Sequence, residues 1–202
     1  MPTPADERVA GLVLAAGGST RLGRPKQLLP FGDGVLLDAA LGAARRSGFA
    51  QLVVALGGSE DAVRQAVDLG GVEIADNPDF AAGCSSSIAA AIPKLDESTD
   101  VLVLMLGDQP GVRAATVHAL LQGRGDAPIA VCRYDDGVGH PFAFDRSMLP
   151  ELAAMHGDKA VWKLLEQRAA DVVEVAVPGA VPTDVDTEDD YRKVLAELQA
   201  TG

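Results

Sequence analysis

Short runs of consecutive apolar residues alternate along the chain with segments whose apolar positions recur every three to four residues. Val9–Ala16, Gln51–Leu56, Val72–Ala75, Val101–Leu106, Ile129–Arg133, Val138–Phe144 and Val172–Val177 read as strands. Val101–Leu106 (VLVLML) is apolar at every position, as a central parallel strand covered on both faces must be. Leu36–Ser47, Ser59–Val67, Ser85–Ile92, Arg113–Leu121, Asp158–Ala169 and Glu188–Gln199 have helical spacing. Gly48 stands at an expected C-cap and Ser59 at an expected N-cap, and Thr187 with Asp190 predicts a capping box. Alternation with short connections predicts an α/β fold of three layers, helices on both faces of a mostly parallel sheet. The turn signal Asp135-Asp136-Gly137 between two strands predicts a hairpin that departs from the parallel pattern. Neither a repeat nor a linker divides residues 1–202, so one domain is expected.

Composition narrows the function classes. Residues of the hydrophobic class make up 48% and aromatic ones only 4%, so the core is expected to be aliphatic. A formal net charge of -12 repels a phosphate backbone, which excludes non-specific nucleic-acid binding. The two cysteines, Cys84 and Cys132, are too few and too far apart for a zinc site or a disulfide framework. The first apolar run follows Asp6, Glu7 and Arg8, a flank with net negative charge where a secretory signal needs a basic one. No stretch approaches the roughly 18 apolar residues of a membrane span. A cytoplasmic protein without a membrane partner is expected.

Ligands of open α/β sheets gather at the carboxyl ends of the strands, and three of those ends carry unusual residues. The loop after the first strand runs Leu14-Ala15-Ala16-Gly17-Gly18-Ser19-Thr20-Arg21-Leu22-Gly23-Arg24-Pro25-Lys26. Its small residues allow close backbone approach, and successive N–H groups can cradle phosphates. Arg21, Arg24 and Lys26 add cations to an otherwise acidic chain. The spacing fits neither a dinucleotide fingerprint nor a P-loop; a plain glycine turn with solvated cations is the alternative. Asp108, in Gly107-Asp108-Gln109-Pro110, follows the most apolar strand, where a carboxylate is suited to Mg²⁺ but the segment is also good turn chemistry. Asp184 and Asp186 share one face if their segment is extended, or simply begin a solvated acidic helix.

Taken together, these segments resemble the MobA-like nucleotidyltransferases, and within them the molybdenum-cofactor cytidylyltransferases. The N-terminal motif stands here as LAAGGSTRLGRPKQLL, Leu14 to Leu29, with Leu22 where the family has Met. Asn77-Pro78, Gly83-Cys84-Ser85-Ser86-Ser87, Gly107-Asp108-Gln109-Pro110, Gly139-His140-Pro141, Gly157-Asp158 and Asp184-Val185-Asp186-Thr187 follow in the family's order. The resemblance implies a Rossmann-like fold of the nucleotide-diphospho-sugar transferase type. It implies transfer of a nucleoside monophosphate from an NTP to a phosphorylated acceptor, with Mg²⁺ as cofactor and pyrophosphate as product. Such a reaction needs prepositioned cations and N–H donors rather than a general base. Arg21, Lys26 and Asp108 are then the catalytic residues, Lys26 reaching the α-phosphate and Arg21 the β and γ oxygens. Asp108 with Asp184 or Asp186 would hold the metal. The nucleotide would lie against Leu14 to Gly18 and the Asn77–Ser87 segment, with Gly83 and Ser85 in contact, although Ser85 could equally be an N-cap. Family members that use GTP tend to have glycine where this chain has Ala16, so the implied nucleotide is CTP.

Gln109, His140 and Asp158 occupy the positions that the resemblance assigns to the acceptor, although His140 could instead satisfy a turn. His118 and His156 fall in helical patterns and are expected at the surface. The family's usual Gly-Asp-x-Gly-Ala-Arg stands here as Gly157-Asp158-Lys159-Ala160-Val161-Trp162. An arginine is thus replaced by Trp162, which has one donor and no charge; Lys159 or Lys163 could restore a cation. The implied acceptor is the molybdenum cofactor, with docking to an apo-molybdoenzyme as a corollary. Two rival readings are a sugar or polyol phosphate acceptor, such as methylerythritol phosphate, and a non-catalytic carrier of the cofactor. A flavodoxin-like redox protein fits less well with the cation cluster.

Overall fold

The computed structural model describes residues 7–201. Seven strands form one twisted sheet: β1 (Val9–Leu14), β4 (Gln51–Leu56), β5 (Glu73–Asp76), β6 (Val101–Leu106), β7 (Ile129–Arg133), β8 (Val138–Asp145) and β9 (Val172–Ala176). A two-stranded hairpin of β2 (Pro30–Phe31) and β3 (Gly34–Val35) lies outside it. The helices are α1 (Leu36–Arg46), α2 (Glu60–Ala66), α3 (Cys84–Ala91), α4 (Ala114–Arg124), α5 (Leu149–Ala153), α6 (Ala160–Gln167) and α7 (Glu188–Thr201). Among the described residues no helix is long and apolar enough to cross a membrane.

The order across the sheet is β5-β4-β1-β6-β8-β7-β9. β5, β4, β1 and β6 run parallel, β8 runs antiparallel to both of its neighbours, and β7 and β9 are parallel. The expected hairpin is therefore the β7–β8 pair, and its second strand is wedged between β6 and β7. From β1 the chain steps outward to β4 and β5, then crosses back to place β6 on β1's other side. That reversal opens a crevice beyond Leu14 and Leu106, the carboxyl ends of β1 and β6.

Alternation along the central strands decides which helices cover which face. Val13, Val54, Val103 and Met105 bury one way, against Leu37 and Leu41 of α1, Val63 of α2 and Val117 and Leu120 of α4. Leu12, Val53, Leu102, Leu104, Phe142 and Phe144 bury the other way, against Ile88 of α3, Leu149 of α5 and Leu164 of α6. Phe142 and Phe144 are fully buried, and each contributes about 2–3 kcal/mol of transfer free energy. A smaller cluster of Leu29, Leu36, Val185, Tyr191 and Val194 fastens α7 to the hairpin, with the Tyr191 hydroxyl donating to the Pro30 carbonyl at 2.6 Å.

The pattern reading differs from the structure in a few places. The β2–β3 hairpin and α5 are too short for periodicity to reveal. Ser59 sits at the N-cap of α2 but its side chain accepts no capping bond. The Thr187 box is formed: the Thr187 N–H donates to Asp190 at 2.8 Å and the Asp190 N–H to Thr187 Oγ1 at 3.2 Å. His156 lies in an exposed loop rather than a helix.

Candidate active site

The crevice is lined by Leu14 to Arg21, Lys26 and Gln27, by Phe80, Gly83, Cys84 and Ser87, by Leu106 to Asp108, and by Asp158, Asp184 and Asp186, around a cavity of about 650 Å³. The loop after β1 owes its course to a residue the motif reading passed over. Gln27 is 3% exposed and its amide donates to the Ala15 carbonyl at 2.7 Å and the Gly17 carbonyl at 3.0 Å. Two orphan carbonyls are thereby satisfied internally, and Gly17 and Gly18 are exposed on the crevice wall. Phe80, also missed, packs where a Cβ on Gly57 or Gly58 would stand, within 2.7 and 2.9 Å. The signal for Gln27 was its adjacency to Lys26; Phe80 has none in a single sequence.

Lys26 is the hub. Its ammonium donates to Asp108 Oδ2 at 2.5 Å and to Asp186 Oδ1 at 2.7 Å, and Arg21 pairs with the other Asp186 oxygen at 3.3 Å. Burial lowers the Lys26 pKa, but the charge of Asp108, its hydrogen bond and the two contributions of Asp186 outweigh that and raise it above the ordinary lysine value. The lysine is therefore charged. Asp108 Oδ1 is buried without a hydrogen-bond partner. Asp184 stands beside it, exposed at the rim; partial desolvation, then repulsion from Asp108, raises its pKa to about 6, while a Gln109 hydrogen bond opposes the shift. Arg24 is drawn away to Glu188 at 3.0 Å.

These carboxylates fit a hard divalent cation in kind: an orphaned buried oxygen and a neighbour whose ionisation is opposed by burial and by Asp108 are both relieved by added positive charge. No ready-made group of three acidic, His or Cys ligands stands among the described residues, and the Lys26 ammonium lies between Asp108 and Asp186. Lys26 is the cation in residence, and it must give up those oxygens before a metal takes them.

The other expected residues divide. Leu14, Ala15, Ala16, Gly17, Gly18, Gly83 and Asp158 all border the crevice. Gly83 has φ +104°, and a Cβ there would meet Asp158 Oδ1 at 2.5 Å, so only glycine lets the Asp158 loop close on the start of α3. The Cys84 N–H donates to that same oxygen at 3.3 Å. Burial and the nearby Asp158 charge raise the Cys84 thiol above its usual pKa, which keeps it protonated and unreactive. Ser85, expected as an N-cap or base contact, is neither at the cap nor in the crevice. Gly83 is the N-cap, and helical spacing sends Cys84 and Ser87 to the crevice and Ser85 to a separate hollow behind α3. Asn77 borders that hollow too; it is 2% exposed and donates to Ser86 and Ser87 at 2.9 Å, bracing α3 from beneath.

Two acceptor candidates are also inside the protein. Gln109, 2% exposed, donates to the Pro182 carbonyl at 3.1 Å and hydrogen-bonds Asp184, so it ties the Asp184 segment to β6. The Val185 N–H to Asp108 carbonyl bond at 3.1 Å reinforces that tie. His140 is buried and stacked on Phe142 with centroids 4.0 Å apart, and burial lowers its pKa to about 3. It is a neutral histidine within β8, where the sequence offers an acceptor contact or a residue satisfying a turn ahead of the strand.

Several known proteins are similar to this chain. Over 198 residues the chain is 30% identical to nicotine blue oxidoreductase of Paenarthrobacter nicotinovorans, spanning 93% of this chain and 96% of that one. It is 28% identical over 183 residues to the molybdenum cofactor cytidylyltransferase of Escherichia coli K12, spanning 89% and 92%. The crystal structure of Rv0371c from Mycobacterium tuberculosis H37Rv in complex with manganese superimposes with a TM-score of 0.85 at 46% identity, covering 94% of this chain and 98% of that one. The model of the MobA-like NTP transferase domain matches residues 11–172, a span that takes in the glycine-rich loop, Lys26 and Asp108, and the chain belongs to that family of nucleotidyltransferases.

Proposed function

We propose that this nucleotidyltransferase moves CMP from CTP onto a phosphorylated acceptor, molybdopterin of the molybdenum cofactor, and releases pyrophosphate with Mg²⁺ bound. The observation that carries the reading is the Lys26 ammonium clamped between Asp108 and Asp186 beside the exposed glycines of the loop after β1. An acceptor phosphate oxygen forms the new bond to the α-phosphorus, and the bond to the β-phosphate breaks with its electron pair on pyrophosphate. The nucleophile is already ionised, so no base is needed; the demand is for positive charge where oxygens gain it. Lys26 serves the α-phosphate, Arg21 the leaving oxygens, and the N–H groups of Gly17 and Gly18 orient the triphosphate. Asp108 with Asp184 or Asp186 would hold the metal, which when bound neutralises charge across the phosphates. The cytidylyltransferase relative and the manganese-bound neighbour support the base and the divalent metal.

Calorimetric titration of CTP, GTP and ATP, with and without Mg²⁺, tests this. CTP is expected to lead by at least about tenfold, or about 1.4 kcal/mol. Its Mg²⁺ dependence is expected to vanish in Asp108→Asn. A preference for GTP overturns the base assignment, and Mg²⁺ dependence that survives in Asp108→Asn overturns the metal site.

A further inference from the structure

Trp162 is the one large apolar side chain that stands exposed among the described residues, at 41%. A single exposed hydrophobic residue is ordinary; this one is held in place. Its ring meets Phe142 edge-on with centroids 5.4 Å apart and 90° between planes, and meets His140 at 6.4 Å and 85°. Both partners are buried on β8, and His140 in turn stacks on Phe142. Two T-shaped contacts hold an indole by its edges and fix the plane of its exposed part.

The position of that indole is set by the sheet. β8 pairs antiparallel with β6, Phe142 opposite Leu104, so His140 lies at the level of Leu106, a residue of the crevice wall. From the other direction, a helical side chain leans toward the N-terminus of its helix and covers the turn before its own Cα. Trp162 in the first turn of α6 therefore leans toward Asp158, also on the crevice wall. Both constraints bring the ring to the β8 side of the crevice, away from Lys26. No charged side chain pairs with it. His140 beneath is neutral, and the flanking Lys159 and Lys163 are exposed and form no ion pair among the described residues.

We infer that Trp162 is the specificity-determining residue of the acceptor side, a fixed stacking platform for a planar heteroaromatic acceptor whose phosphate is steered by Lys159 and Lys163. The inference rests on the nucleotidyl-transfer reading and adds to it the residue that selects the acceptor. A flat ring system gains from an indole held rigid before binding, because little side-chain entropy remains to be lost. A sugar or polyol phosphate is recognised through its hydroxyls, and the rings around Trp162 offer almost no acceptors or donors to them.

The chain has one tryptophan, so 5-fluorotryptophan labelling yields a single ¹⁹F resonance that reports on this ring alone. Neopterin monophosphate is expected to move that resonance saturably, and glucose 1-phosphate to leave it in place. Trp162→Ala is expected to weaken neopterin monophosphate binding about tenfold, and Trp162→Phe, which keeps the cover over His140, to retain most of it. CTP affinity, measured on the same samples, stays constant in both variants. An unmoved resonance, an equal shift with glucose 1-phosphate, or unchanged pterin affinity in Trp162→Ala overturns the inference. Failure of CTP to bind the wild type overturns the transfer reading instead, and the fluorine shift is judged separately from it.

Discussion

The end of β6 has two very different flanks. Toward β1 lie Lys26, Arg21 and three aspartates, with Lys26 paired to Asp108 and Asp186 and Arg21 paired to Asp186. Toward β8 lie His140, Phe142 and Trp162, neutral rings packed at 4.0 to 6.4 Å. The first flank is balanced electrostatically and can be rearranged by a competing cation or anion, because each of its bonds is an exchange of one charge partner for another. The second is balanced by packing, which has no comparable substitute and does not rearrange. One side of the crevice is thus built to change partners during a reaction, and the other to hold a shape.

Removing the hub tests the first flank most severely. Lys26→Met is expected to slow turnover about a thousandfold, or about 4 kcal/mol of transition-state stabilisation, while neopterin monophosphate still shifts the Trp162 fluorine signal. Single-turnover kinetics beside that titration check both halves; loss of the pterin response together with turnover would show that the flanks do not act separately.

The second flank predicts its own acid lability. His140 titrates near 3 in the folded protein, against an ordinary value of 6.5. Between those values the unfolded chain binds the extra proton and the folded one does not, so stability falls as pH drops below about 6.5. The slope from this residue approaches about 1.4 kcal/mol per pH unit, and the total is at most about 4 kcal/mol by pH 3. Urea denaturation of wild type and His140→Phe at pH 7 and pH 4.5 measures it. The variant is expected to lose less stability on acidification; equal losses would place His140 in contact with water.

A smaller effect belongs to Gln109, which touches neither flank's surface. Gln109→Leu removes the hold on Asp184 and on the Pro182 carbonyl. About tenfold weaker Mn²⁺ binding is expected, the size usual for a residue that orients a ligand, with Trp162 undisturbed. Electron paramagnetic resonance of free Mn²⁺ reads this directly, and unchanged affinity would show that Gln109 positions no metal ligand.

The two flanks were also unequally legible in the sequence. Leu14 to Lys26 is one contiguous segment in which glycines and cations must sit together, so its chemistry is visible locally. Val101–Leu106 and the Asp135–Gly137 turn were equally plain, because burial on both faces and a tight turn each leave a local mark. Ser85 and Ser87 differ only by which way a helix turns from its first residue, and that start, Gly83 rather than Ser85, is decided by the Asp158 loop 74 positions away. His140 bears the same polar side chain whether it lies in a pocket or under an indole. Trp162 stood out only as a departure from the family's arginine; its contacts with β8 are tertiary and have no sequence signature. The aromatic flank is distributed over β8 and α6, and its contacts exist only once they are packed.

The clamp on Lys26 carries a consequence for the making of the protein. Lys26 and Asp186 are 160 positions apart, and Asp186 directly precedes the box that starts α7. During synthesis the chain emerges from its N-terminus, so Lys26 can meet only Asp108 until the Asp184–Asp190 segment has left the ribosome. The pairing of Lys26 with Asp186 is therefore among the last long-range contacts that the growing chain can complete.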